Sequence, residues 1–311
     1  MDEKEKKRRG YFGATAFVTA ASFSALLNRL GIGTGLHPLW LNVLRLWLSV
    51  AFLWPVLLLL RRDELSEWRQ APRRVKLLTL LSGAMLALHF STWTMALSKI
   101  DSVVVTSIWS ASTLFTVIGA SVFLHERTPL AALAGLLLAA CGMVVTALGA
   151  SASHALGIGY SLLTAVAFSG YTLCGRCVRG KLDSLVYNTL IYTVAAVCVL
   201  FCALIGRASP AQIDAGSFLT GLGLCLICTI FGHSMHNYAL GFLKAQTVNV
   251  ISLGEVVTGP LLVFLVLHEV PATRSILGGA LIVAGVLAYI IFEERAVARH
   301  GSTKNSRFQS R

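Results

Sequence analysis

The sequence predicts an all-α integral membrane protein: ten transmembrane helices arranged as two inverted five-helix repeats. Three observations carry this expectation. A mean hydropathy of +0.74 with only 13% charged residues excludes an ordinary soluble domain. A hydrocarbon core of ~30 Å needs roughly 20 apolar residues per helix. Windows of that kind fall at 11–31, 39–60, 75–98, 102–124, 129–149, 156–176, 184–206, 216–241, 245–267 and 273–292. Leu124-His125-Glu126 then recurs 143 positions later as Leu267-His268-Glu269. From 96 to 142, ten of forty-seven positions are identical at that offset, clustered at Ala96-Leu97 with Ala239-Leu240, Gly135 with Gly278 and Gly142 with Gly285.

The repeats expected are 11–149 and 150–292, flanked by charged tails at 1–10 and 293–311. Each holds five spans, and an odd number reverses direction. The second copy therefore enters the membrane from the opposite side, the arrangement that underlies alternating access. Orientation follows from the connections. With the N-terminus cytoplasmic, 21 Lys and Arg fall inside, against Arg29, Lys99, Arg207 and Arg274 outside, with Arg45 in a span. The expected location is a bacterial-type plasma membrane with both termini cytoplasmic and no cleaved signal peptide. The +12 net charge is then topogenic. The basic residues are scattered over loops and not gathered on one face, which argues against a nucleic-acid partner.

Taken in order, helix 1 carries Thr15, Thr19 and Ser22 on one face and ends at a glycine-rich outside turn, 31–35. Helix 2 holds Arg45 and three tryptophans, of which Trp40 fits an interfacial belt. The polar loop 61–76 is the strongest inside anchor. Helix 3 bears His89, Phe90 and Trp93. Helix 4 repeats Thr106, Trp109/Ser110, Thr113 and Thr116 as a polar stripe. Helices 5 and 10 carry Gly135/Gly142 and Gly278/Gly285, seven apart, as close-packing faces. A short linker, 149–156, joins the halves. Helix 8 carries Thr229, His233 and His236, and helix 9 is 245–267. The two tails read as disordered.

Glu255 is the sharpest candidate. It lies ~15 Å into helix 9, where a carboxylate must be paired, protonated or wet. Gln246, Asn249, Ser252, Glu255 and Thr258 form a stripe at three-residue steps, so Asn249 and Ser252 join Glu255 on the candidate pathway. A structural acid is the other reading. Arg45, ~10 Å from the outer end of helix 2, either snorkels, pairs with an acid or attracts an anionic group. His89 and His233 are near-equivalent in the repeat, and its inversion puts one toward the outside and the other toward the inside. They and His236 suit substrate binding, proton passage or helix–helix hydrogen bonding. Trp93 and Trp109 suit a cavity wall or plain packing. Glu126 and Glu269, at helix ends, are placed to lock the turns that follow. Cys174/Cys177 and Cys225/Cys228 have CxxC spacing but no nearby His or acidic ligands, so they read as packing residues, with no metal and no cofactor expected. No P-loop, HExxH, GxSxG or dinucleotide fingerprint is present, so no enzyme is expected.

Ten spans in two repeats, with Leu-x-Glu closing helices 4 and 9, resemble the EamA family of the drug/metabolite transporter superfamily over roughly 11–292. Glu255 and Glu269 keep the family's fourteen-residue Glu spacing, but Val256 stands where a Pro is usual and Pro260 falls later. Arg45 matches an Arg often found in helix 2. The resemblance implies a secondary transporter whose central cavity is lined by helices 1, 3, 4, 6, 8 and 9. The expected function is export of small organic metabolites such as amino acids or related compounds. Efflux of cationic drugs, a lipid-carrier translocase, a membrane scaffold and an enzyme are the alternatives. The expected partners are a small-molecule substrate and the lipid bilayer, with protons as candidate coupling ion and a homodimer as candidate assembly.

Overall fold

A computed structural model describes residues 2–126, 128–148, 155–209, 213–270 and 272–309. Arg127, Pro210, Pro271 and most of the 149–156 linker lie outside the described residues. The elements are helices: α1 Glu3–Gly33, α2 Pro38–Leu60, α3 Arg62–Gln70, α4 Arg73–Leu97, α5 Ser102–Trp109, α6 Ser112–Phe123, α7 Leu130–Ala147, α8 Ala155–Val178, α9 Ser184–Ile205, α10 Ala215–Gly223, a π-helical segment Leu224–His233, α11 Ser234–Leu240, α12 Ala245–Ser252, α13 Glu255–Leu267 and α14 Thr273–Gln309. Nine continuous or jointed helices among the described residues are long and apolar enough to cross a membrane. Leu130–Thr146 is apolar but shorter.

The burial pattern is that of a protein solvated by lipid. Leu59, Phe123, Leu130 and Ile205 are more than 70% exposed, whereas Asn28, Asn42, Thr94, Asn188 and Asn237 are buried. Hydrocarbon offers no hydrogen bonds, so buried polar groups must find one another. They do so in two matching triads. Asn28, Asn42 and Thr94 join α1, α2 and α4: Thr94 Oγ1 donates to Asn28 Oδ1 at 2.8 Å, and Asn42 Nδ2 donates to Thr94 Oγ1 at 2.9 Å. Tyr171, Asn188 and Asn237 join α8, α9 and α11: Tyr171 Oη donates to Asn237 Oδ1 at 2.8 Å, and Asn237 Nδ2 donates to Asn188 Oδ1 at 2.7 Å.

The glycine pairs close the bundle. α7 and α14 run antiparallel along each other. A Cβ built on Gly135 would lie 2.6 Å from Gly285 O, and one on Gly142 would lie 2.5 Å from Gly278 O. The contact is reciprocal, since Gly278 and Gly285 are the repeat counterparts of Gly135 and Gly142. Only glycine lets two helix backbones approach this closely.

Both tails depart from expectation. α1 starts at Glu3, and Gly10 packs on Leu243. The run EKEKKRR is made of good helix formers, and Glu5 bridges to Arg8 and Arg9 at 2.8 and 2.9 Å. α14 likewise continues past the last apolar turn to Gln309. Inside the polar loop, α3 seats Leu65 against Leu57 and Val186.

Candidate functional site

The candidate site is positioned by two broken helices. The fourth span breaks between α5 and α6, and the ninth between α12 and α13. Ser110 N donates to Ser107 O at 3.2 Å, Ala111 N to Ile108 O at 3.1 Å and Thr113 N to Ser110 O at 3.1 Å. Leu253 N donates to Val250 O at 3.1 Å, Gly254 N to Ile251 O at 3.0 Å and Val256 N to Leu253 O at 3.0 Å. These tightened i→i−3 turns mark a local departure from α geometry, and they occupy equivalent positions of the repeat. The break therefore stands immediately before Glu255 without a proline at 256. Pro260 sits inside α13. The halves differ at the critical position: Ser112 opens α6, whereas Glu255 opens α13, its carboxylate on the first turn, where the helix dipole favours negative charge.

A narrow cavity of about 10 Å³, room for roughly one water molecule, lies beside this break, lined by Phe17, Ala21, Ser24, His89, Phe90, Trp93, Trp109, Phe168, Cys228, His233 and Glu255. Every one of these residues is buried, so the site is occluded. Its walls are rings. Trp93 and Trp109 meet edge to face at 5.9 Å, Trp109 and Phe168 at 5.2 Å, and Phe90 and His233 at 4.8 Å. Phe17 and Phe168 stack at 6.2 Å. Three polar atoms of this lining find no hydrogen-bond partner: the indole Nε1 of Trp93 and of Trp109, and Nδ1 of His233. Together with the Glu255 carboxylate, they make an apolar box with a few convergent polar groups, the usual form of a small-molecule site.

The sequence-predicted residues divide accordingly. Glu255, His89, His233, Trp93 and Trp109 come together at the cavity. His89 and His233, expected toward opposite faces, meet at 6.0 Å between ring centroids. His236 stands behind the lining, stacked on Tyr171 at 5.6 Å, its Nε2 3.2 Å from Thr172 Oγ1. Asn249 is absorbed by a bracing network. Its Nδ2 donates to Thr116 Oγ1 at 2.6 Å, and its Oδ1 accepts from Thr172 Oγ1 at 3.3 Å. Ser252 Oγ donates to Val248 O, one turn back, at 2.9 Å. Arg45 does not snorkel: it is 1% exposed, and its Nε donates to Thr229 Oγ1 at 2.5 Å. Thr229 Oγ1 also reaches Leu224 O, five residues back, within the π segment.

Glu126 and Glu269 reach across the bundle and not only into their own turns. Glu126 Oε1 accepts from Arg176 Nε at 2.9 Å, and its Oε2 accepts from Ala245 N, the first residue of α12, at 3.2 Å. Glu269 lies 3.6 Å from Arg29, whose Nη2 donates to Ile100 O at 3.0 Å, ahead of α5. The intervening histidines, His125 and His268, both adopt left-handed backbone, with φ of 54° and 57°. Phe17, Ser24, Phe168 and Cys228 are lining residues that sequence reasoning missed, because aromatic, serine and cysteine residues in an apolar span carry no signal of which way they face. Among the described residues, no His/Cys/Asp/Glu group could hold a metal, and all seven cysteines are free.

The model of the EamA-like transporter family matches residues 8–148 and again 155–291, one match per repeat. The chain belongs to the EamA-like transporter family. The family is part of the drug/metabolite transporter superfamily, and the paired triads, paired breaks and reciprocal glycines are its two-repeat architecture in this chain. No curated protein matches the chain. A solved crystal structure described only as that of a protein superposes with a TM-score of 0.75 at 16% identity, covering 95% of this chain and 99% of its own. At that identity the likeness concerns the fold alone. This EamA-like chain is thus an integral membrane protein of the transporter class.

Proposed function

We propose that this EamA-like protein is a secondary active transporter that exports small organic metabolites such as amino acids or related compounds, coupled to protons. Alternating access comes from exchanging the conformations of two inverted five-helix repeats, with Leu130–Ala147 counted as the tenth span and both termini in the cytoplasm of a bacterial-type cell. The observation that carries the reading is Glu255: a buried carboxylate at a helix break, facing an occluded cavity with unpartnered indole and imidazole nitrogens. An acid there is a place to exchange a proton for a cationic group.

The aromatic lining favours a second reading, export of lipophilic cations, since rings and one carboxylate attract positive charge. Proteoliposomes loaded with a radiolabelled amino-acid mixture, or with tetraphenylphosphonium, separate the two. Export driven by a pH gradient for the first load, and absent in protein-free vesicles, supports the main reading. Movement of the phosphonium alone supports the second. Movement of neither removes the transport reading.

A further inference from the structure

Arg45 is a charge without a counterpart. It is almost fully buried on α2, and only its Nε–H finds an acceptor, Thr229 Oγ1. Both Nη groups are buried with no hydrogen-bond partner. The guanidinium carbon stands over the Phe90 ring, 3.7 Å from its centroid. A cation–π contact offsets part of the desolvation but leaves the planar fork unused. The other groups acting on it are Cys225, Cys228 and Tyr192, none a carboxylate, and then Glu255, which lies in its field without forming an ion pair. Phe90 is also a wall of the cavity, and Cys228 is another. One aromatic ring thus separates an unsatisfied guanidinium from the space that Glu255 faces.

Two opposite charges held apart in one membrane core are expensive unless something bridges them. An anion would be repelled by Glu255 and a cation by Arg45; a dipolar molecule meets both. We propose that Arg45 is the anion pole of the binding site, taking the carboxylate of a zwitterionic substrate whose ammonium group meets Glu255, with the Phe90 ring displaced to admit it. A guanidinium fork is the group that grips a planar carboxylate through two parallel hydrogen bonds. This rests on the transporter reading and narrows its substrate to molecules carrying both charges. The π segment, which carries Thr229 opposite Arg45, is the deformable element the exchange requires.

The test compares three ligands sharing one side chain: leucine, its decarboxylated amine isopentylamine, and its deaminated acid isocaproate. Binding to the purified full-length protein is read by quenching of tryptophan fluorescence, to which Trp93 and Trp109 at the cavity contribute. Leucine should bind best, with either single-charge analogue weaker by roughly tenfold or more. Arg45→Gln should drop leucine to the level of the amine while leaving the amine no weaker. Arg45→Lys, which keeps the charge but not the fork, should fall between. If Arg45→Gln does not fold, the Arg45→Lys protein and the wild-type ranking still decide. Amine binding as tight as leucine, or a leucine-to-amine ratio unmoved by either substitution, overturns the proposal and leaves the transporter reading standing. Binding of none of the three, with no leucine counterflow in proteoliposomes, removes both.

Discussion

Thr94 and Asn237 stand 143 positions apart, and each is the hub of a buried hydrogen-bond triad that staples three helices of its repeat. Of the partners, Asn28 matches Tyr171 at the same offset, and Asn188 stands three positions past Leu185, the counterpart of Asn42. A buried polar group whose partner is removed loses more than the bond itself, because it stays desolvated. Asn237→Leu leaves Tyr171 Oη and Asn188 Oδ1 without that partner and should destabilise the protein by about 1–3 kcal/mol. Thr94→Val should act in the same direction. Thermal unfolding in detergent checks this. A Tm unchanged in both variants would show that the triads are not structural.

The reciprocal glycines give a sharper contrast. A Cβ on Gly278 would meet Gly142 O at 2.5 Å and Thr146 N at 3.0 Å, atoms of a rigid helix that cannot swing aside. Gly278→Ala and Gly135→Ala should each destabilise by about 1–3 kcal/mol through overpacking. Gly159→Ala, where nothing lies within 4 Å, should be neutral or slightly stabilising. Equal melting temperatures across the three variants would remove the claim that α7 and α14 need glycine at the crossing.

Much of this architecture was legible in the sequence, because repeats and hydropathy are properties of the chain alone. The 143-residue offset that pairs Gly135 with Gly278 also pairs the helix breaks and the left-handed histidines. The break itself was not legible in the fourth span, where Ser110-Ala111 carries neither proline nor glycine. Glu255, His89, His233, Trp93 and Trp109 could be chosen because polar or aromatic residues are conspicuous in apolar helices. Asn249 looked equally conspicuous, yet it is consumed by Thr116 and Thr172. Periodicity places a residue on a face but does not say which helix that face meets. For the same reason the partners of Glu126 and Glu269, Arg176 and Arg29, could not be read from spacing.

Those two ion pairs make a prediction about access. Arg176–Glu126 is short, with its carboxylate mostly buried; its counterpart Arg29–Glu269 is longer, with a more exposed carboxylate. Each ties a helix of one repeat to the closing turn of the other, at opposite ends of the bundle. Arg176→Gln should loosen the end bearing the N-terminus. Cys228, which lines the cavity, should then react several-fold faster with a membrane-impermeant thiol reagent applied from that side, the other cysteines being replaced. Arg29→Gln should do the same from the opposite side. Unaltered labelling in both variants would make the pairs mere surface contacts, worth ~1 kcal/mol or less.

Orientation is tested independently. Thr34 lies at the turn between α1 and α2, and Ser66 on α3 in the basic loop. Thr34→Cys should be labelled from outside intact cells and Ser66→Cys should not, as the distribution of Lys and Arg requires. External labelling at 66 would invert the topology and, with it, the direction assigned to export.

The Glu255→Gln variant separates function from structure, because the substitution keeps shape and hydrogen-bonding capacity but fixes the side chain neutral. Glu255 opens α13 at the cavity wall, and no ion pair holds it among the described residues. Fold stability should therefore change little, since no partner is left unpaired. Gradient-driven flux should fall by an order of magnitude or more, and what survives should lose its dependence on pH. Exchange of labelled for unlabelled substrate at equal pH should outlast net export if the acid serves coupling alone, and should fail with it if the acid also holds the substrate's ammonium group. A marked loss of stability would instead show that the carboxylate braces the break, and that its loss leaves Arg45 without the charge that had been balancing it. Flux near wild type with an unaltered pH profile would exclude Glu255 from the proton pathway, and the search for the coupling group would pass to His89 and His233, the remaining titratable imidazoles on the cavity wall.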